Sequence, residues 1–332
     1  MWDAVKAVKE TDGNVSEAAR ILGISRRTLR GRLSRAKKKI PQFTVESEDF
    51  TEASIDEIRE RRIKEFNRKS KNAKNDRLLD VRLDVDGPFG ICIFGDCHWD
   101  NPGTDLSAYE AHAESVLKTE GFYGGLIGDL TDNWVGRLEA LYAGHTITPT
   151  EGWRLCEHYI SEIAPKCLFL TGGNHDAWSG HRDPLTYMVR DTNIIYRNHR
   201  TRLRILQGRD ERLTIHARHS FKGRSIYNQA HAALKELIFG CKDDIAVCGH
   251  YHISGLSVTK DQETGKKLQG VLVASYKIHD DFAESRGFSD QNLSPSVCFI
   301  VDTNKPRHHP DYCQLYWDPI EAADVLTWKR SR

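Results

Sequence analysis

The 332-residue chain lacks any run of 18 apolar residues. That excludes a membrane-spanning helix, which needs about 20. Met1-Trp2-Asp3-Ala4 passes at once into charged sequence, so this start is not expected to be a signal peptide. The chain has little net charge: 48 Lys and Arg stand against 47 Asp and Glu, a formal +1. The total excludes nothing, because the charge is unevenly placed along the chain. No Cys-x-x-Cys pair occurs among the eight cysteines. Cys92, Cys248 and Cys298 lie inside apolar runs and are expected to be reduced core residues of a cytoplasmic protein.

What the chain does have is a set of apolar runs that each end in metal-ligand chemistry. Cys167-Leu168-Phe169-Leu170 leads into Thr171-Gly172-Gly173-Asn174-His175-Asp176. The run predicts a short buried strand, and the Gly pair predicts a sharp turn that lifts polar side chains off its end. Ile91–Phe94 leads into Gly95-Asp96-Cys97-His98, and Gly125–Ile127 leads into Gly128-Asp129. Leu213–Ile215 continues through His216 to His219, and Ile245–Cys248 leads into Gly249-His250-Tyr251-His252. Ligands of open α/β sheets sit at the carboxyl ends of strands. Mixed oxygen and imidazole donors suit Mn²⁺, Fe or Zn²⁺ better than Ca²⁺, which takes oxygen alone. Any one of these motifs is an ordinary turn; five together predict a site.

Asp-x-His, then Gly-Asp, Gly-Asn-His-Asp, a lone His and Gly-His-x-His, in this order, resemble the calcineurin-like metallophosphoesterase family. The resemblance runs from about Val85 to the C-terminus. It implies an α/β, four-layer α+β fold: a β-sandwich flanked by helices. It also implies two divalent cations, Mn²⁺ first, with Fe, Zn²⁺ and Mg²⁺ as alternatives. By that resemblance Asp96 and His98 hold the first ion, and Asp129 bridges the two. Asn174 and His250 hold the second, and His252 completes the first. His175 is the non-ligand histidine that protonates the leaving oxygen, with Asp176 holding its tautomer. Asp132 and Asn133 are open to two readings, orientation of ligands or a helix cap.

The lone His offers His216 or His219. Period-two alternation places His219 with Leu213, Ile215 and Ala217, and His216 on the other face with Thr214 and Arg218. The strand-end position favours His219. Ser220 stands where the family usually has Gly. The implied chemistry is attack of a metal-activated hydroxide on a phosphate ester.

The first 40 residues predict a small helical unit. Asn14 caps one helix with Glu17 three residues on, Gly23 stops it, and Ser25 caps the next. That last helix carries Arg26, Arg27, Arg30, Arg32, Arg35 and Lys37 to Lys39, with no acidic residue. Such charge suits phosphate contacts in DNA. Gly13-Asn14, Ala18-Ala19-Arg20, Leu22-Gly23-Ile24-Ser25, Thr28-Leu29 and Leu33 resemble the factor-for-inversion-stimulation type of helix-turn-helix. Residues 41–82 are expected to be a charged linker. It starts acidic from Glu46 and turns basic from Arg61, with a helix over Ser54–Asn67. The phosphoesterase domain is expected over residues 83–332.

The joint expectation is a phosphodiesterase or nuclease brought to DNA, in a bacterial or phage-infected cell. No membrane partner is expected, and pairing as a homodimer is left open. The alternatives are a DNA-binding regulator with a sensing metal domain, or a nucleotide or protein phosphatase. Substrate contacts are sought in His145, His181, Arg182, Lys222, Arg224 and Tyr251. A rim loop is expected over Lys277–Phe288, with His279, Asp280, Asp281 and Arg286.

Overall fold

The computed structural model describes residues 2–37, 52–75, 78–179, 183–279, 287 and 291–332. Lys38, Lys39, Glu46, Glu48, Asp49, His181, Arg182, Asp280, Asp281 and Arg286 lie outside the described residues. The chain divides into two compact units, Met1–Asn67 and Arg68–Arg332.

In the first unit, α1 (Trp2–Glu10), α2 (Val15–Ile21) and α3 (Arg26–Lys37) close on a small core of Ala4, Ala7, Ala18, Ala19 and Leu29. Val8 packs at its margin, and Ala4 and Ala7 take the inside face of α1. The Asn14 side chain accepts the N–H groups of Ser16 and Glu17, which fills two of the unpaired donors at the start of α2. Gly23, at φ 64, makes the left-handed turn into α3. Ser25 Oγ then accepts the Thr28 N–H at 3.1 Å. The linker helix α4 (Ile55–Asn75) extends past its expected end.

In the second unit, one sheet has the order β1 (Leu79–Leu83), β6 (Thr201–Gln207), β7 (Asp210–Ala217), β8 (Ile245–Cys248), β10 (Lys267–Leu272), β9 (Gly255–Lys260). The other has the order β12 (Cys313–Tyr316), β11 (Ser296–Val301), β2 (Phe89–Phe94), β3 (Phe122–Leu126), β4 (Cys167–Thr171), β5 (Ile195–Arg197). β1 pairs in parallel with β6, so the sheet begins ahead of residue 83. Its alternating Leu-Asp-Val-Arg-Leu is half polar and blends into the charged stretch before it.

The fold is mixed α/β, two sheets flanked by helices, after an N-terminal helical unit. Ile91, Ile93, Val297 and Phe299 from one sheet meet Ile205, Ile215, Val247 and Val271 from the other in the inner core. α5 (Leu106–Lys118), α6 (Pro149–Ile163) and α10 (Pro319–Arg330) supply side chains to the core that covers one outer face. α9 (His231–Glu236) covers the other. β2 and β11 are buried at every position because both faces of their sheet are covered. β2, β3 and β4 run parallel, as do β7 and β8. Among the described residues no helix is long and apolar enough to cross a membrane.

Candidate metal centre

The carboxyl ends of β2, β3, β4, β7 and β8 deliver the predicted residues to one place. Asp96 leaves β2 fully buried. Its Oδ2 accepts the His250 N–H at 2.7 Å and lies 3.3 Å from His252 Nε2. Asp129 Oδ2 lies 3.0 Å from His219 Nε2, and Asp129 Oδ1 accepts the His175 N–H at 2.9 Å. His219 Nε2 is also 3.0 Å from Asn174 Oδ1 and 3.2 Å from His250 Nδ1.

The backbone around these residues is strained. His98 (φ 42), Asp129 (φ 50), His250 (φ 74) and His252 (φ 53) all take the left-handed conformation, which side chains with a Cβ rarely occupy. Such strain persists where the surroundings fix it and is a mark of functional sites. Gly173 keeps the centre open: a Cβ there would stand 2.1 Å from Asp129 Oδ1. Gly173→Ala is expected to lower bound metal by about tenfold or more, the usual cost of disturbing a ligand's support; metal stoichiometry after dialysis checks it.

The donor set suits a cation. His219 Nδ1 faces the Ile127 carbonyl at 2.9 Å, so it carries the ring's proton and donates it there. In the neutral ring, Nε2 is then a lone pair facing Asp129 Oδ2, Asn174 Oδ1 and His250 Nδ1 (the last of these can present a lone pair too). Only a shared proton or a positive ion reconciles such donors at about 3 Å. Asp96 Oδ1 and His98 Nε2 are likewise buried with no hydrogen-bond partner among the described residues. One ligand atom from each of Asp96, His98 and His252, and of Asp129, His219 and His250, lies within 4.8 Å of its companions. His98 and Asp129 also meet His175 in a third such group, which chains the two sets together.

A layer of polar residues behind these orients them. Asp132 Oδ1 lies 2.7 Å from His98 Nδ1, and its Oδ2 accepts from Asn101 Nδ2 at 2.5 Å. His145 Nε2 lies 3.1 Å from Asp132 Oδ2, and Lys277 Nζ lies 3.6 Å from its Oδ1. Burial opposes charge on Asp132, but the His98 imidazole and the His145 hydrogen bond hold its carboxyl well below the usual range. Of the two readings left for Asp132, its carboxylate lies against the His98 ring and not at a helix start. His145, sought as a substrate contact, points inward to this carboxylate instead.

Asp176 differs from expectation. It does not touch the His175 ring. Its carboxylate accepts the N–H groups of Asp129 (2.9 Å), Leu130 (3.1 Å) and Gly173 (2.8 Å). Three converging amides outcompete a single ring nitrogen, and they tie two strand-end turns together. Burial and the Asp129 charge push Asp176 up to about 6, against those hydrogen bonds. The His175 ring is held at Nδ1 by the Asp132 carbonyl at 2.5 Å. Burial drives His175 down to about 4. Trp178 and Trp134 flank it, with ring centroids 4.1 and 4.9 Å away.

His216 and His219 part company. His219 joins the centre, while His216 Nδ1 faces Cys241 Sγ at 3.2 Å. Arg224 stacks over Tyr251 at 4.4 Å, beside His250. Lys222 and His279 are exposed.

Residues 5–35 match the family model described as bacterial regulatory protein, Fis family. That stretch is a Fis-family helix-turn-helix. No curated protein matches the chain. Among solved structures, a metallophosphoesterase from Sphaerobacter thermophilus is 14% identical, with a TM-score of 0.36, over 73% of this chain and 95% of that one. A predicted phosphoesterase from Streptococcus pneumoniae TIGR4 is 11% identical, with a TM-score of 0.31, over 70% and 99%. Vps29 from Entamoeba histolytica, complexed with zinc, is 10% identical, with a TM-score of 0.32, over 69% and 97%. At such identities only this chain's own side chains bear on its chemistry.

Proposed function

We propose that the chain is a two-metal phosphoesterase that cleaves a phosphodiester, a nuclease in the first instance, brought to DNA by its helix-turn-helix. The observation that carries it is the converging donor set around Asp129 and His219. In this reading Asp96, His98, His252 and Asp129 hold one cation, and Asp129, Asn174, His219 and His250 hold the other. Manganese suits the mixed donors best. Bound there, the cations supply charge to neutralise phosphoryl oxygens and activation of water.

The remaining work belongs to side chains. Asp132 aims His98, and Asp176 clamps the turns that carry Asp129 and Asn174. His175, with Nδ1 held by the Asp132 carbonyl, presents Nε2 for proton transfer to the leaving oxygen. Trp134 and Trp178 pack against the ring.

The test is hydrolysis by the manganese-loaded chain of bis-nitrophenyl phosphate, beside labelled single- and double-stranded DNA. Cleavage of DNA supports the nuclease reading. Turnover of the small diester alone moves the substrate to nucleotides or other small esters. No metal-dependent turnover overturns the enzyme reading and leaves a DNA-binding regulator.

Arg26, Arg27, Arg30 and Arg32 are all exposed on α3, and we assign them to DNA phosphates. Replacing all four with Ala is expected to weaken duplex binding. The slope of log K against log salt should become shallower by about 3 to 4, near one per lost phosphate contact. Hydrolysis of the small diester should not change. An unaltered affinity and slope would remove the DNA-binding assignment.

A further inference from the structure

The outer face of the first sheet carries a separate group of donors. Ile215 and Ala217 of β7 face the inner core, and His216 between them faces the α9 side with its strand partner Ala246. His216 is 1% exposed. Its Nδ1 lies 3.2 Å from Cys241 Sγ and 3.6 Å from Glu236 Oε1. Its Nε2 is buried without a hydrogen-bond partner among the described residues, and Phe221 packs edge-on to the ring at 5.1 Å. Among those residues the polar contacts of the imidazole are therefore on the Nδ1 side.

The backbone that brings the other two donors is irregular. Glu236 ends α9, and a π-helical turn, Leu237–Cys241, follows directly. Such single turns often mark functional positions. Gly240 has φ −107 and ψ −107, and Lys242 is left-handed at φ 51. A Cβ on Gly240 would stand 2.5 Å from Glu236 Oε1, so the glycine is what lets this carboxylate fold back toward Cys241.

We propose that His216, Glu236 and Cys241 form a third cation site, for a thiophilic divalent ion of the zinc class. One ligand atom from each lies within 4.8 Å of the others. Tetrahedral zinc, with bonds of about 2.3 Å to sulfur and about 2.1 Å to nitrogen and oxygen, needs its donors about 3.4 to 3.6 Å apart. The nitrogen–oxygen separation of 3.6 Å fits that range, and the nitrogen–sulfur separation of 3.2 Å falls short of it by a few tenths of an ångström, so the sulfur would move outward on binding.

The neighbouring charges permit it. Arg202 is held by Asp243 through two hydrogen bonds of 2.8 and 2.9 Å, so its charge is matched. A thiolate and Glu236 then balance the cation. Burial, with Arg202, Arg218 and Arg200 adding to it, drives His216 down to about 3, so its imidazole is neutral and free to ligate. Burial and Asp243 push the Cys241 thiol up to about 12. The ion must therefore displace the thiol proton to solvent as the metal–sulfur bond forms. The fourth position is left to water. The bound ion would staple the π-turn to β7.

This site does not depend on the catalytic reading. Its test uses the full chain stripped of metal and titrated with Co²⁺, which gives a thiolate-to-cobalt charge-transfer band. No cysteine is among the donors of the other centre, so the band reports on Cys241. It should appear in the wild type and in Asp129→Asn, and vanish in Cys241→Ser. Independently, zinc at ten times its Kd should slow alkylation of Cys241 in the wild type about tenfold. A missing band, a band that survives Cys241→Ser, or alkylation indifferent to zinc would overturn the proposal and leave only an S–H···N hydrogen bond.

Discussion

Asp129→Asn should cut hydrolysis of bis-nitrophenyl phosphate by about 100- to 1000-fold, the scale seen when preorganised charge stabilisation is removed, and should lower bound metal with it. The change is nearly isosteric, so the left-handed turn at φ 50 and the Asp176 clamp on the Asp129 N–H are kept. What is lost is a negative charge between His219 and His175. A second readout needs no turnover. In the metal-free chain burial opposes charge on His219, but Asp129 and Asp96 outweigh it and lift the imidazole to about 10. Below that pH the ring is protonated, and a cation must expel the proton to bind. Apparent metal affinity should therefore rise with pH, by up to about tenfold per unit for one released proton, and level off near 10. In Asp129→Asn the His219 pKa drops and the rise should level off at lower pH. Calorimetry in buffers of different ionisation enthalpy counts the protons. A variant that stays active and metal-loaded, with unchanged proton release, would remove Asp129 from the centre.

The reach of the sequence is clearest where a strand ends. Apolar runs give β2, β3, β4 and β8, and the polar residues after each run land together because parallel strands share one carboxyl edge. Alternation along β7 separates His216 from His219, and the two do face different partners, Cys241 and Asp129. What spacing could not give is which acceptor a side chain prefers once the chain has closed. Asp176 sits next to His175 in sequence, yet its oxygens go to amides 46 and 47 residues away. The acceptor that fixes the His175 tautomer is a backbone carbonyl, which every residue has and no motif marks. Asn101, His145 and Lys277 gather on Asp132 from three distant segments. A signal was present in Asp129-x-x-Asp132-Asn133, but a helix cap explained it equally well until the His98 contact was seen. At β1 the polar alternation of an edge strand hid in charged sequence, and its pairing with β6 about 120 residues on is a tertiary event.

His175→Ala should keep its metal and lose turnover in a way that depends on the leaving group. For alkyl or nucleoside leaving groups a loss of about 100- to 1000-fold in kcat is expected, within the range for a positioned acid. For nitrophenolate, which departs without a proton, the loss should be only a few-fold. The geometry sets this up. His175 Nδ1 is tied to the Asp132 carbonyl and must carry a hydrogen, so proton transfer falls to Nε2. That atom lies 3.8 Å from Asp129 Oδ2. Burial holds the free imidazole at about 4, neutral at pH 7. The proton it donates therefore has to arrive with the substrate, whose phosphate anion beside Nε2 favours the imidazolium. Cations bound nearby work against that, so substrate charge decides the protonation state. A plot of log kcat against leaving-group pKa should steepen in the variant. If the loss is equal for nitrophenyl and nucleoside esters, His175 serves to shape the pocket with Trp134 and Trp178, and the proton must reach the leaving oxygen from water instead.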